Sequence, residues 1–119
     1  MPAMPLNIVF DFGAVVFSWR PDEIVRGAFP EHAATAEAAH MLANEIFHHE
    51  DWHNFDRGTI EQAAVVERTA RRLGLAHEAV HSLVQSIPQH LTPIPGTVDL
   101  LTRLRERRDQ QGDIRLYFL

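Results

Sequence analysis

The chain has 119 residues, 45% of them hydrophobic and 23% charged, with a formal net charge of -5. That balance belongs to a globular chain rather than a disordered one, and no apolar run approaches the ~18 residues needed to span a bilayer. There is no cysteine, which excludes disulfides and thiolate metal sites and leaves His, Asp and Glu as the strong metal ligands. The acidic balance, with no clustered basic face, argues against a nucleic-acid backbone as partner. All eleven basic residues are arginine, so lysine is absent.

Met1 to Phe10 has no basic n-region and its apolar stretch stops at Asp11, so it is not expected to act as a secretory signal; a cytoplasmic location is the expectation. Leu6-Asn7-Ile8-Val9-Phe10 is a short apolar run bounded by Pro5 and by Asp11-Phe12-Gly13, and it is read as a buried strand. From about Pro21 to His90 strand-like alternation disappears, and alanine, glutamate, arginine and histidine dominate. A helix is expected from Pro21 through Phe29, ended by Pro30, and another from Ala33 to about Trp52 with Met41, Leu42, Ile46 and Phe47 on its apolar stripe. Thr59-Ile60-Glu61-Gln62 fits a capping box opening a helix that stops at Gly74, and a further helix is expected from His77 to about Ile87, before Pro88.

Between Pro95-Gly96 and Gly112, Val98, Leu101 and Leu104 recur at helical spacing, while arginines fill the other faces and the last turn. Ile114 to Leu119 follows the Gly112-Asp113 breaker and reads as a second strand. Strand, helix and strand imply a parallel α/β core, residues 1–18 and 92–119, carrying a helical insert at residues 19–91. By residue count the chain should be mostly helical.

Asp11 directly follows the first strand, and ligands of open α/β sheets bind outside the carboxyl ends of strands. A purely structural aspartate at that place would instead cap the turn. The run Ile8-Val9-Phe10-Asp11-Phe12-Gly13-Ala14-Val15-Val16 resembles the first motif of the haloacid dehalogenase-like (HAD) hydrolase superfamily. Trp52 and Phe55-Asp56-Arg57-Gly58-Thr59-Ile60 resemble part of the helical cap that one subgroup inserts after the first strand. Pro93-Ile94-Pro95-Gly96-Thr97, followed by Leu100, Leu101 and Leu104, is similar to the return from cap to core.

The resemblance implies a partial Rossmann-like core with an inserted helical cap, and hydrolysis of a small phosphomonoester, a sugar phosphate for example, with Asp11 as the nucleophile. It also implies Mg²⁺, bound by the Asp11 carboxylate and the main-chain carbonyl of Gly13. Many phosphatases of the superfamily carry a second aspartate at the position of Gly13, where it protonates the leaving group; glycine cannot do so. The superfamily's phosphate-binding Ser or Thr, its lysine and its acidic metal pair have no counterpart here. The resemblance therefore implies a copy truncated before the second motif and without significant activity of its own. Trp19 and Trp52 are candidates to line a substrate cleft, with core packing as the plainer role. Arg57 is expected to pair with Asp56 or Glu61 rather than to meet an anionic substrate.

Three other readings stay open. A haloacid dehalogenase would use the same aspartate against carbon without a metal. A non-catalytic remnant or interaction module would follow from a terminal strand that leaves a two-stranded parallel sheet with exposed edges. Finally, His49-Glu50-Asp51-Trp52-His53 matches the HExxH pattern of zinc hydrolases, with Glu61, Glu67 and Glu78 as unremarkable third ligands and a solvated histidine-rich face as the alternative.

Overall fold

Leu6–Phe10 forms strand β1 and Ile114–Phe118 forms strand β2, and the two pair in parallel with Leu6 opposite Ile114 and Phe10 opposite Phe118. The protein is described here from a computed structural model covering residues 4–119. Met1, Pro2 and Ala3, part of the start read as not being a secretory signal, lie outside the described residues. Between the strands run six helices: α1 (Pro21–Ala28), α2 (Ala36–Phe47), α3 (Glu50–Asp56), α4 (Gln62–Leu73), α5 (His77–His90) and α6 (Pro95–Gln111). The protein is thus mostly helical with a small parallel sheet, a coarse α/β class. No described helix is long and apolar enough to cross a membrane. The described chain divides into two compact units, one of residues 4–19 with Leu91–Leu119, the other of Arg20–His90.

The helical unit holds most of the buried apolar surface. In it α1 packs on α2 and α5, and α4 packs on α3 and α5. Ile46, Leu83, Val25, Val65, Val66 and Val80 are its largest fully buried side chains. Pro21 occupies the first turn of α1, where its missing N–H would have no helical partner. Thr35 caps α2 by accepting the Ala38 N–H at 3.1 Å. Gly74 ends α4 in the left-handed conformation, φ 66°, that glycine adopts without a Cβ penalty.

Three local expectations are corrected. The single helix expected from Ala33 to about Trp52 is two, because the chain breaks at His48-His49 and restarts with His49 as the cap of α3. Thr59 does not cap α4, whose cap position is Glu61; its hydroxyl instead donates to the Asn54 carbonyl at 3.0 Å, closing the turn after α3. Pro88 does not stop α5, which runs on to His90 with the proline inside its last turn, where the missing N–H costs one helical hydrogen bond to the preceding turn.

The other unit is thinly covered. Among its described residues only Phe10, Val16 and Ile114 are buried. The buried strand expected at Leu6–Phe10 is therefore mostly exposed: Leu6 keeps 63% and Val9 56% of their surface accessible. Helix α6 packs on β2, yet none of its residues is buried. It ends at Gly112, φ 66°, and Arg107 reaches past that cap to clamp Asp113 at 2.6 Å. The hydrogen bond from Arg107 holds the Asp113 carboxyl below the usual carboxylate range, and the same bond raises the guanidinium above its ordinary value.

Candidate functional site

Asp11 is the first residue beyond β1. The Phe10 carbonyl before it accepts the Leu119 N–H at 2.9 Å, so the backbone is tied to the second strand up to the residue before the carboxylate. Immediately after it, the Phe12 carbonyl accepts the amides of Val15, Val16 and Phe17 at 3.4, 3.1 and 3.0 Å, winding the chain into a tight turn. Ala14 sits inside this turn at φ 60°, a left-handed conformation that costs a residue with a Cβ about 1 kcal/mol or more. The hydrogen bonds around it hold that conformation in place. Gly13 has no positive φ, and a Cβ built on it meets nothing within 4 Å, so neither backbone conformation nor space requires glycine there.

The far side of the turn is pinned to the chain returning from the helical unit. Ser18 N–H donates to the Thr92 carbonyl at 2.8 Å, Ile94 N–H donates to the Val16 carbonyl at 2.9 Å, and the hydroxyls of Ser18 and Thr92 lie 2.7 Å apart. Phe12 stacks on Phe118, ring centroids 5.5 Å apart and planes at 14°, and leans on Phe17 at 6.0 Å. Asp11 is thus presented by a fixed loop with a half-open aromatic floor beside it. Its own carboxylate is exposed and forms no hydrogen bond or ion pair with the described residues.

The donors beside this turn suit a hard cation in kind but not in number. A carboxylate at Asp11 and the uncommitted Gly13 carbonyl are oxygen ligands of the type Mg²⁺ takes. Among the described residues, however, no three acidic or histidine side chains gather into a metal-holding group. From Phe12 to Phe17 every side chain is apolar or absent, so this loop supplies no proton donor.

The remaining candidates lie apart from one another in the chain. Trp19, half-buried, closes the first segment of the strand-bearing unit. Trp52, also half-buried, belongs to the helical unit and packs edge-on against Phe47 at 4.8 Å and tilted against Phe55 at 5.4 Å. His49 stands outside α3 as its cap, with extended backbone at φ -85° and ψ 152°, and its Nδ1 accepts the Asp51 N–H at 3.0 Å. One nitrogen of the HExxH pair is thereby committed to capping; the His53 N–H donates to the His49 carbonyl at 3.2 Å, closing the first turn of α3, while His49 itself keeps the extended backbone of a cap. Glu50 and His53 line an open depression of about 550 Å³ together with His48, Asp56 and Arg57. Arg57 itself donates to Asn54 Oδ1 at 2.8 Å, in place of the expected Asp56 or Glu61.

Sequence reasoning does not single out Ala14, Ser18 or Thr92. The two hydroxyls are 74 positions apart and nothing in either segment marks them as neighbours. No family model, no curated protein and no solved structure matches the chain.

Proposed function

We propose that these residues form the nucleophile-bearing segment and helical cap of a HAD-like hydrolase acting on a small phosphomonoester of the sugar-phosphate kind, in the cytoplasm. The observation that carries the reading is Asp11: an exposed carboxylate without a partner among the described residues, delivered by a strand of a parallel sheet into a hydrogen-bonded turn. In this reading an Asp11 oxygen attacks phosphorus, the bond to the leaving oxygen breaks, and an aspartyl phosphate forms. Water then attacks that phosphorus and frees the carboxylate. The turn fixes the direction of the carboxylate and supplies no acid, so the leaving group draws its proton from elsewhere. Asp11 and the Gly13 carbonyl would hold a Mg²⁺ ion, whose contribution is neutralisation of charge on the transferring phosphoryl group.

The 119 residues alone are proposed to be inactive. A carboxylate facing a phosphate dianion is repelled by it, and catalysis of this kind needs several preorganised cationic and hydroxyl partners at once. There is no lysine to serve as the clamping ammonium. The purified chain, assayed with an aryl phosphate and Mg²⁺, should show no turnover. Joined to a hydrolase core that supplies those partners, it should turn over, and Asp11→Asn should abolish that activity while leaving unfolding within about 0.5 kcal/mol of the parent. Activity that survives in the variant refutes the assignment. Release of halide from a haloacid in place of phosphate would move the reading to the dehalogenases.

A second, non-catalytic reading is favoured by the thinness of the strand-bearing unit, with three buried side chains and two open sheet edges among the described residues. In that case the chain serves as an interaction module.

A further inference from the structure

Strand β2 carries an open edge whose chemistry matches itself. The Leu6 N–H donates to the Asp113 carbonyl and the Leu119 N–H to the Phe10 carbonyl. In a parallel ladder these bonds fix which residues face the neighbouring strand: Asp113, Arg115, Tyr117 and Leu119 turn their main-chain groups toward β1. Ile114, Leu116 and Phe118 turn theirs away, toward an edge that has no partner among the described residues. The open edge of β1 is poorer, because only Asn7 and Val9 point outward there.

We propose that β2 pairs in antiparallel fashion with β2 of a second copy of this chain, making a four-stranded sheet about a twofold axis through Leu116. The choice of a second copy rests on register and charge. Pairing all five strand residues requires Leu116 to meet Leu116 of the second copy. Ile114 then meets Phe118, and Arg115 meets Tyr117, each contact occurring twice. The three outward-facing residues exchange two bonds with each opposite residue, which satisfies every open donor and acceptor of the strand. Arg115 is the only charged residue in β2, and this register sets it across from an aromatic ring, where a guanidinium is attracted. A slide of two residues, the smallest that again sets outward-facing residues opposite one another, would move the axis to position 115 and place Arg115 against Arg115, a like-charge contact that disfavours it.

The side chains agree with this arrangement. Tyr117 and Phe118 are 47% and 48% exposed, an unusual state for aromatic residues inside a strand. On the face of β2 that bears Leu116 and Phe118, an open groove of about 270 Å³ is lined by these two residues and by Val98, Leu101 and Arg105 of α6. A neighbouring copy of β2 would bring its own Ile114 and Phe118 beside that groove. The pairing stands on the geometry of the sheet and is independent of the hydrolase reading.

Sedimentation equilibrium of the 119-residue chain tests it. The weight-average mass should rise from that of one chain to that of two across the micromolar range and stop there. Amide hydrogen exchange should show Ile114, Leu116 and Phe118 gaining protection as the dimer forms. Two substitutions at the exposed Tyr117 should then act in opposite directions, because position 117 faces Arg115 of the second copy and the contact occurs twice in the dimer. Tyr117→Glu should tighten association relative to Tyr117→Arg by about tenfold. Circular dichroism identifies a variant that has lost its fold, and the difference between the two charged variants carries the test. A chain that stays monomeric up to millimolar concentration overturns the proposal, and so does a Tyr117→Glu variant that associates no more tightly than Tyr117→Arg. Association in which the amides of Ile114, Leu116 and Phe118 gain no protection overturns it as well, since it would then proceed through another surface.

Discussion

Truncating Trp52 to alanine should destabilise the helical unit by about 2–3 kcal/mol. A fully buried Trp→Ala change costs roughly 3–5 kcal/mol. Trp52 is half-buried, which takes the apolar part down to about half of that. Its edge-on contact with Phe47 at 4.8 Å and its tilted contact with Phe55 at 5.4 Å add back about 0.5–1.5 kcal/mol each, partly overlapping the area already counted. In a unit of about 70 residues the loss corresponds to a fall in Tm of roughly 10–20 °C. Thermal and urea unfolding followed by far-UV circular dichroism reads it, and Trp52→Phe, which keeps an aromatic ring between Phe47 and Phe55, should recover more than half. If Trp52→Ala melts within about 0.5 kcal/mol of the parent with its helix content intact, the packing argument is wrong. The exposed face of the indole then becomes the part that matters, as a ligand contact.

Leu83 is 1% exposed on α5, and Leu83→Ala should cost about 3 kcal/mol, whereas Leu6→Ala, at a side chain 63% exposed, should stay within about 0.5 kcal/mol; paired urea midpoints check both. Asp113 titrates below its ordinary range because Arg107 donates to it, so its contribution to stability is present above the unfolded carboxylate pKa and is lost as the pH falls through the lowered folded value. The stability difference between the parent and Asp113→Asn should accordingly be present at neutral pH and vanish on strong acidification; a difference that grows with acid would reverse the sign of that linkage.

The positions of the elements were legible where the sequence carries a chemical stop. Both strands are apolar runs closed by Asp11 or opened after Gly112-Asp113, and α4 and α6 end at glycines whose left-handed conformation other residues resist. The break at His48-His49 carries neither proline nor glycine. It depends on an imidazole nitrogen accepting a main-chain N–H, a capping role that histidine's side chain seldom advertises. Thr59 misled for a related reason: the residue spacing of a capping box is present, but its hydroxyl found a carbonyl behind it in the turn after α3. Burial of β1 was the least legible property, since an apolar strand specifies that it can be covered and not that a covering element is nearby.

For the candidate site, the place of Asp11 at a strand end follows from the pattern of the run, because the strand stops where its apolar residues stop. The turn that presents it does not. Ala14 has no sequence preference for positive φ, and its conformation is imposed by three amides converging on one carbonyl and by the crossing at Val16, Ser18, Thr92 and Ile94. Such long-range clamps leave no local trace.

That crossing bears on how the chain can be rearranged. The main chain departs at Ser18 and comes back at Thr92 within hydrogen-bonding reach, so the intervening helices enter and leave through a doorway only one residue pair wide. Lengthening or exchanging a segment attached in this way adds only slowly to the entropy of closing it. The helical segment is therefore a transplantable cassette: a short turn joining Ser18 to Thr92 would preserve the register of β1 and β2, and a different helical segment grafted at the same two residues would inherit the same anchorage.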